Sequence, residues 1–425
     1  MHSTFKLKEQ SFLVYGLGLS GRSVIKFFEK NKIKNYKVWD DKQKKLFENK
    51  RTKNLNKTLN DVDYIVLSPG VSLNENKNLI KYKEKIITDI DFLYLSNKNF
   101  KSIVVTGTNG KSTTCKLISH LLKKNKFQVL LGGNIGNPIL DLKIKKNSYI
   151  IIEASSFQLS HSKFIRPDYA ILLNVTNDHL DWHGNIKNYT YAKLKIFMLQ
   201  KRNQFAIVNS KLKKIFKKRN FASKLIIPEE KKYKKIKKKI NNHYLRLGIN
   251  DENMSFVSTF SKLLRISEKR FISAVNSFVG LPHRYEIFLK KKNIIFINDS
   301  KATSFEETKY ALLNSKNIYW IVGGLPKKKD KIYLSKIRKN IVKCYIVGKS
   351  VNFFRKQIKG KINFSVTNNL KKTLLKVFED IKLSREISNT ILFSPAAASY
   401  DQFLNFEKRG DEFKKLSKLY ARKFI

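Results

Sequence analysis

The residues that could do chemistry begin at Val105-Thr-Gly107-Thr108-Asn109-Gly110-Lys111-Ser112-Thr113. An apolar strand pattern runs into a glycine-rich turn, and Lys-Ser then opens a helical stretch. That order makes a phosphate cradle, because backbone N–H groups and a helix N-terminus face the anion. Lys111 would reach the terminal phosphates of a nucleotide, and the Ser112 hydroxyl would ligate Mg2+. Val105 stands where the usual eight-residue phosphate loop has its first glycine. A Gly-Lys-Ser triplet is common by chance, but one in strand–turn–helix order is not, so a plain βα turn is the weaker reading.

Other reactive groups sit where apolar runs stop. Glu153 closes the run 150–152 in Glu153-Ala-Ser155-Ser-Phe-Gln158. A carboxylate at the end of a strand beside a phosphate loop is placed to hold Mg2+. Asn174-Val-Thr-Asn-Asp178-His179-Leu-Asp181 offers two acids and an imidazole at a similar end. His179 there reads as a ligand or substrate group more than as a structural histidine. Asn298-Asp299-Ser-Lys301-Ala-Thr303 and Ser394-Pro-Ala-Ala-Ala-Ser399-Tyr-Asp401-Gln-Phe403 repeat the pattern. Sites in open α/β sheets lie at such strand ends. Lys193 is one lysine among 73, and composition alone makes it solvated surface.

Gly16-Leu-Gly18-Leu19-Ser20-Gly21, with Asp40 downstream, has the form of a dinucleotide fingerprint. A dehydrogenase, a different nucleotide without hydride chemistry, and a bare packing turn all fit it; the second fits best. There is no Cys/His metal pattern and no G-x-S-x-G elbow.

These groups need alternating strands and helices to position them. Strand patterns occur at 11–16, 36–39 and 63–67, then at 102–105, 128–131, 149–152, 169–173 and 205–208. They recur at 294–297, 318–322, 343–347 and 390–393, with helical runs between, one of them spanning about 253–278. The alternation predicts an α/β protein of three serial domains. These are a Rossmann-like domain at 1–97, a P-loop-type central domain at 98–280 and a Rossmann-like C-terminal domain at 281–425. Residues 211–239 hold 14 basic and two acidic residues and read as exposed and partly mobile.

The chain of 425 residues has 87 basic and 33 acidic residues, a net charge of +54. Nucleic-acid binding is one explanation. Only 14 of the basic residues are arginine, however, whereas a phosphate-reading surface favours the planar arginine fork. AT-rich coding explains the abundance of Lys, Asn and Ile more simply, and no nucleic-acid partner is expected. The hydrophobic content of 42% excludes general disorder. No apolar run approaches the ~20 residues that span a bilayer, so no membrane partner is expected. The first residues lack a signal-peptide pattern. Two cysteines, Cys115 and Cys344, make no disulfide framework. A cytoplasmic protein is expected.

Taken in order, several segments resemble those of the Mur ligases, ATP-dependent amide-forming enzymes of peptidoglycan synthesis. They are Gly16–Gly21, Ser68-Pro-Gly70, Thr106–Thr113, Gly132-Gly-Asn134-Ile-Gly136, Glu153–Gln158, Asn174–Asp181, Leu281-Pro-His-Arg284, Asn298–Thr303 and Ser394–Gly410. The last of them is most similar to the D-glutamate-adding branch. The resemblance implies a ligase that joins D-glutamate to UDP-N-acetylmuramoyl-L-alanine through an acyl phosphate, releasing ADP and phosphate. It implies that Leu19, Ser20, Asp40 and Gly70 line the UDP site, with Asn134, Ser155 and Gln158 on the muramoyl-alanine part. ATP would lie on Gly107, Thr108, Asn109, Gly110, Lys111, Ser112 and Thr113, with Asn253, Arg284 and Asp299. Thr303, Lys327, Ser399 and Phe406 would hold D-glutamate. Two Mg2+ ions are implied, one at Ser112 and Glu153 and one at His179 and Lys193. An ammonium cannot ligate a metal, so the resemblance implies a Lys193 carbamylated by CO2. Lys111, Glu153, His179 and Lys193 form the implied catalytic set of a monomer. The rivals are a sister ligase using another amino acid or folate, a nucleic-acid-stimulated NTPase, and an NAD enzyme.

Overall fold

Runs of Ile, Val, Leu and Phe uninterrupted by charge form strands buried on both faces, which is the pattern of a covered parallel sheet. The computed structural model describes residues 6–425 except 74, 75, 97, 98, 328, 329, 336 and 384–386, and the side chains of Asp181 and His243 are also left out. The expected boundary at 97/98 and the lysines Lys328 and Lys329 lie outside the described residues.

Three α/β domains follow one another, each built on its own sheet. The first sheet has strands β1 (Phe12–Tyr15), β2 (Tyr36–Trp39), β3 (Tyr64–Leu67) and β4 (Ile86–Ile87). Their order is β2-β1-β3-β4, all parallel. The second has β5 (Phe100–Thr106), β6 (Val129–Gly133), β7 (Ser148–Glu153), β8 (Tyr169–Leu172), β9 (Phe205–Val208) and β10 (Lys224–Ile226). Its order is β10-β9-β8-β5-β7-β6, which puts the strand before the phosphate loop in the interior. The third has β11 (Glu286–Lys291), β12 (Ile294–Asn298), β13 (Ile318–Gly323), β14 (Ile341–Val347), β15 (Phe364–Asn368) and β16 (Asn389–Phe393). Its order is β11-β12-β16-β13-β14-β15, with only β11 antiparallel to its neighbour. Packing gathers the chain into two compact units, Met1–Phe278 with the first two sheets and Val279–Ile425 with the third.

Three expectations about elements need correction. Residues 211–239 fold into short helices and β10, and they bury Leu212, Phe216, Tyr233 and Ile236 while their lysines face out. The 253–278 stretch is two helices, Asp251–Leu263 and Glu268–Asn276. The first ends as Arg265 takes a left-handed φ of 55° and Ser267 caps the second by accepting the Arg270 N–H. The strands β4, β10, β11 and β15 are short or half-exposed edges, so no continuous apolar run announces them. Among the described residues no helix is long and apolar enough to cross a membrane.

Candidate functional site

In the first unit the phosphate loop joins β5 to the helix Lys111–Lys124. Gly110 caps that helix with a φ of +84°, and a Cβ there would lie 2.1 Å from Asn253 Oδ1. Only glycine suits both demands. The clash also locates Asn253 against the loop. The Asn109 N–H donates to Asn174 Oδ1 (2.8 Å), so the Asn174 segment pins the loop's far side. Lys111 Nζ folds back to donate to the carbonyls of Gly107 (2.9 Å) and Thr108 (2.8 Å).

Lys193 is not surface. It is 1% exposed, on the inner face of the helix Ile186–Leu194. Its Nζ donates to the same Gly107 carbonyl (2.9 Å) and lies 4.4 Å from the centre of the Tyr189 ring. Burial, then the Lys111 charge, pushes its amine well below the ordinary lysine range, with Asp178 opposing. Tyr189 is buried and its hydroxyl shares a hydrogen bond with Thr108 Oγ1 (3.1 Å). The His179 ring meets Tyr189 edge-on, its centre 6.4 Å away, and its Nε2 stands 3.4 Å from Asp178. Sequence reasoning missed Tyr189. Its place four residues before Lys193, one helical turn away, was the available signal.

Glu153 ends β7 opposite Val105 of β5. It is 2% exposed. Asn134 Nδ2 donates to its Oε1 (3.0 Å), while Oε2 is buried with no hydrogen-bond partner among the described residues. An orphaned buried carboxylate oxygen next to a phosphate loop, with Ser112 opening the adjacent helix, fits a hard cation. Among the described residues no three of His, Cys, Asp and Glu gather as a metal cage. Mg2+ commonly keeps waters and phosphate oxygens and needs none.

A cavity of about 550 Å³ is lined by Leu19, Ser20, Asp40, Gly70, Asn134 and Gln158, so six of the seven expected UDP-sugar residues share one space. Ser155 is outside the lining; it caps the helix Ser156–His161, and its Oγ donates to Gln158 Oε1 (3.1 Å). The glycines of the first turn divide in role. A Cβ at Gly21 would come 1.9 Å from Gly16 O, whereas one at Gly18 would meet nothing within 4 Å. Packing requires the first glycine, and the second opens onto the cavity. Burial would raise the Asp40 carboxyl, but N–H groups of Leu17, Gln43 and Lys42 and the Arg51 charge hold it below the usual range. Asp89, absent from the sequence reading, is a buried carboxylate that accepts from Gln158 Nε2 (3.4 Å) behind this wall.

In the second unit Asp299 directly follows β12 and is buried. Its Oδ1 accepts from the Tyr285 N–H (3.0 Å) and its Oδ2 from Ser394 Oγ (2.6 Å). Burial pushes it up to about 7; those hydrogen bonds pull down, Glu307 adds to the rise, and the Arg284 charge opposes it. Arg284 and Asp299 are thus neighbours. Thr303 donates through N and Oγ1 to Glu307 Oε2. Ser399 is buried and Lys327 is exposed, its charge felt by Asp330. Phe406 opens the last helix with its ring 3.7 Å beneath Lys301 Nζ.

Residues 105–270 match the family model for the Mur ligase middle domain. The UDP-N-acetylmuramoylalanine--D-glutamate ligase of Wolbachia sp. subsp. Brugia malayi is 35% identical over 96% of each chain. The enzyme of that name from Rickettsia felis is 35% identical over 97% of this chain and 98% of its own. Among solved structures, a MurF ligase of Thermotoga maritima in complex with ADP has a TM-score of 0.59 at 17% identity, covering 99% of this chain and 100% of that one. The UDP-N-acetylmuramate-alanine ligase MurC of the same organism has a TM-score of 0.56 at 15% identity, covering 97% and 100%. At those identities the two structures bear on the fold alone.

Proposed function

The chain belongs to the Mur ligase family, alongside relatives named for D-glutamate addition, and from that premise we propose how its residues perform the reaction. It is an ATP-dependent ligase that joins D-glutamate to UDP-N-acetylmuramoyl-L-alanine in peptidoglycan synthesis, acting as a cytoplasmic monomer. A carboxylate does not react with an amine at neutral pH, because oxide is no leaving group. The L-alanyl carboxylate therefore attacks the γ-phosphorus of ATP. The new C–O–P linkage is an acyl phosphate, and ADP departs. The D-glutamate amine attacks the acyl carbon, inorganic phosphate leaves with the C–O electron pair, and the nitrogen loses a proton.

The observation that carries this reading is a convergence. The phosphate loop, the orphaned Glu153 oxygen and the buried Lys193 amine meet at the ends of β5 and β7. Asn134 links that cluster to the sugar cavity. Lys111 would swing from the loop carbonyls to the transferring phosphoryl group and balance its charge. Ser112 and Glu153 would hold one Mg2+, and His179 with a carbamylated Lys193 a second. Bound there, the ions supply charge neutralisation on the phosphoryl oxygens. Carbamylation suits the Lys193 site, because burial favours the amine's uncharged form, whose lone pair attacks CO2, and the product has oxygen ligands. His179 or a nearby carboxylate would take the proton of the incoming amine. Thr303, Lys327, Ser399 and Phe406 would bind D-glutamate, and Asp299 with Arg284 would serve the nucleotide.

The test is phosphate release from ATP with UDP-N-acetylmuramoyl-L-alanine and a panel of D- and L-amino acids. D-Glutamate alone should support turnover. Equal turnover with another amino acid, or ATP hydrolysis driven by nucleic acid without the UDP-sugar, would overturn the reading.

A further inference from the structure

The last helix, Phe406–Phe424, buries a guanidinium that no role above uses. Arg409 is 3% exposed. Its Nε donates to Ser300 Oγ (3.0 Å), and Nη2 donates to the carbonyls of Ser300 (2.7 Å) and Ala397 (2.9 Å). Nη1 has no hydrogen-bond partner among the described residues and lies against Gly324, where an added Cβ would come within 3.1 Å of it. None of these acceptors is a carboxylate. Burial lowers the group to about 10, with the Asp401 charge opposing, so it stays cationic at neutral pH. A buried cation held by neutral acceptors is destabilising in itself.

Its hydrogen bonds tie the loops after β12 and β16, and Nη1 lies against the loop after β13. The last two are also joined directly: the Gly323 N–H donates to Pro395 O (2.9 Å), and Leu325 and Ala398 exchange N–H···O bonds (2.9 Å each). Ser300 Oγ in turn donates to Phe406 O (2.9 Å). Each tie falls within four residues of Thr303, Lys327, Ser399 or Phe406.

We propose that Arg409 is the positioning residue of the amino-acid site. Its planar fork binds the loops after β12 and β16, and the β13 loop is bonded to the β16 loop, so that Thr303, Lys327, Ser399 and Phe406 meet a dicarboxylic amino acid together, and its unshared Nη1 charge favours an anion there. The proposal rests on the reading that these loops bind D-glutamate. Lysine cannot replace the fork, because a single ammonium does not reach several fixed acceptors.

The test uses full-length Arg409→Lys and Ser300→Ala proteins, with each substrate varied in turn. For Arg409→Lys the KM for D-glutamate should rise about tenfold or more, the loss expected for one charge-assisted hydrogen bond, with the KM values for ATP and the UDP-sugar within about twofold. Ser300→Ala should raise the same KM by less. Hydrogen exchange should quicken at amides 324–327 and 397–401 and stay unchanged within β13 and β16. An unchanged D-glutamate KM in folded Arg409→Lys, or an equal rise in all three KM values, overturns the proposal. If Arg409→Lys does not fold, Ser300→Ala decides by the same criteria. If the wild-type protein does not use D-glutamate, the ligase reading is what fails, and the exchange rates then judge the loop tie: faster supports it, unchanged overturns it.

Discussion

Replacing Lys193 by methionine should abolish ligation and yet make the first unit less sensitive to falling pH. The side chain is 1% exposed and its amine is pushed well below the usual lysine range. Such a group releases its proton on folding. Its contribution to stability is complete above the unfolded-state pKa and is lost as the pH falls toward the folded-state value. Between those limits the loss is about 1.4 kcal/mol per pH unit. Methionine fills nearly the same volume and carries no proton, so that slope disappears. Against this stands the lost hydrogen bond to Gly107 O, about 1 kcal/mol at any pH. Relative to wild type, Lys193→Met should therefore gain stability as the pH falls from about 10, at up to about 1.4 kcal/mol per pH unit until the folded-state value is reached. Urea unfolding across that pH range, in CO2-free buffer without nucleotide so that the amine stays free, measures the difference. Phosphate release measures ligation, which added bicarbonate should not restore. Parallel stability curves would refute the buried-amine argument. Turnover near the wild-type rate would refute the carbamate.

Lys111→Ala should lose ATP-dependent ligation while UDP-sugar binding, followed by calorimetry, is unchanged; ligation at near wild-type rate would mean the phosphate cradle is misassigned. Gly110→Ala should lose about 1–2 kcal/mol from its left-handed backbone alone and raise the KM for ATP by displacing Asn253. A wild-type KM in that variant would make the Asn253 contact incidental. For Asp299, raised to about 7 by burial, the folded state binds the proton more tightly than the unfolded chain. Its contribution to stability is full below the ordinary carboxylate range and is lost as the pH rises to about 7. Asp299→Asn should flatten the second unit's stability between those values, and an unchanged slope in pH-dependent melting would contradict the assignment.

The chemistry was legible wherever residue type and strand ending coincided. Gly110-Lys111-Ser112 and Glu153 could be read because a phosphate loop and an acid at a parallel strand's end have few other uses. The order of the motifs carried the family. Lys193 was unreadable from composition, since its burial depends on how one helix docks under the phosphate loop. Arg409 lay inside a quoted motif, but its three acceptors come from loops over a hundred residues earlier and a dozen earlier, and no local pattern joins them. The edge strands failed for the opposite reason: β11 and β15 are half in solvent, so their composition is that of loops. The reading of 211–239 as exposed holds for its lysines, but its short helices and β10 were missed because lysine density hid a sparse apolar spacing.

That spacing has a wider meaning. Between Leu212 and Ile236 a handful of inward-facing anchors suffices to hold helices and an edge strand, and lysine takes most of the outward positions. The fold of this stretch therefore rests on its interior, and its basic rind is compatible with drift in base composition. A rind of one sign makes neighbouring molecules repel, and dissolved salt, with a Debye length of about 8 Å at physiological strength, becomes part of what lets such a chain remain compact.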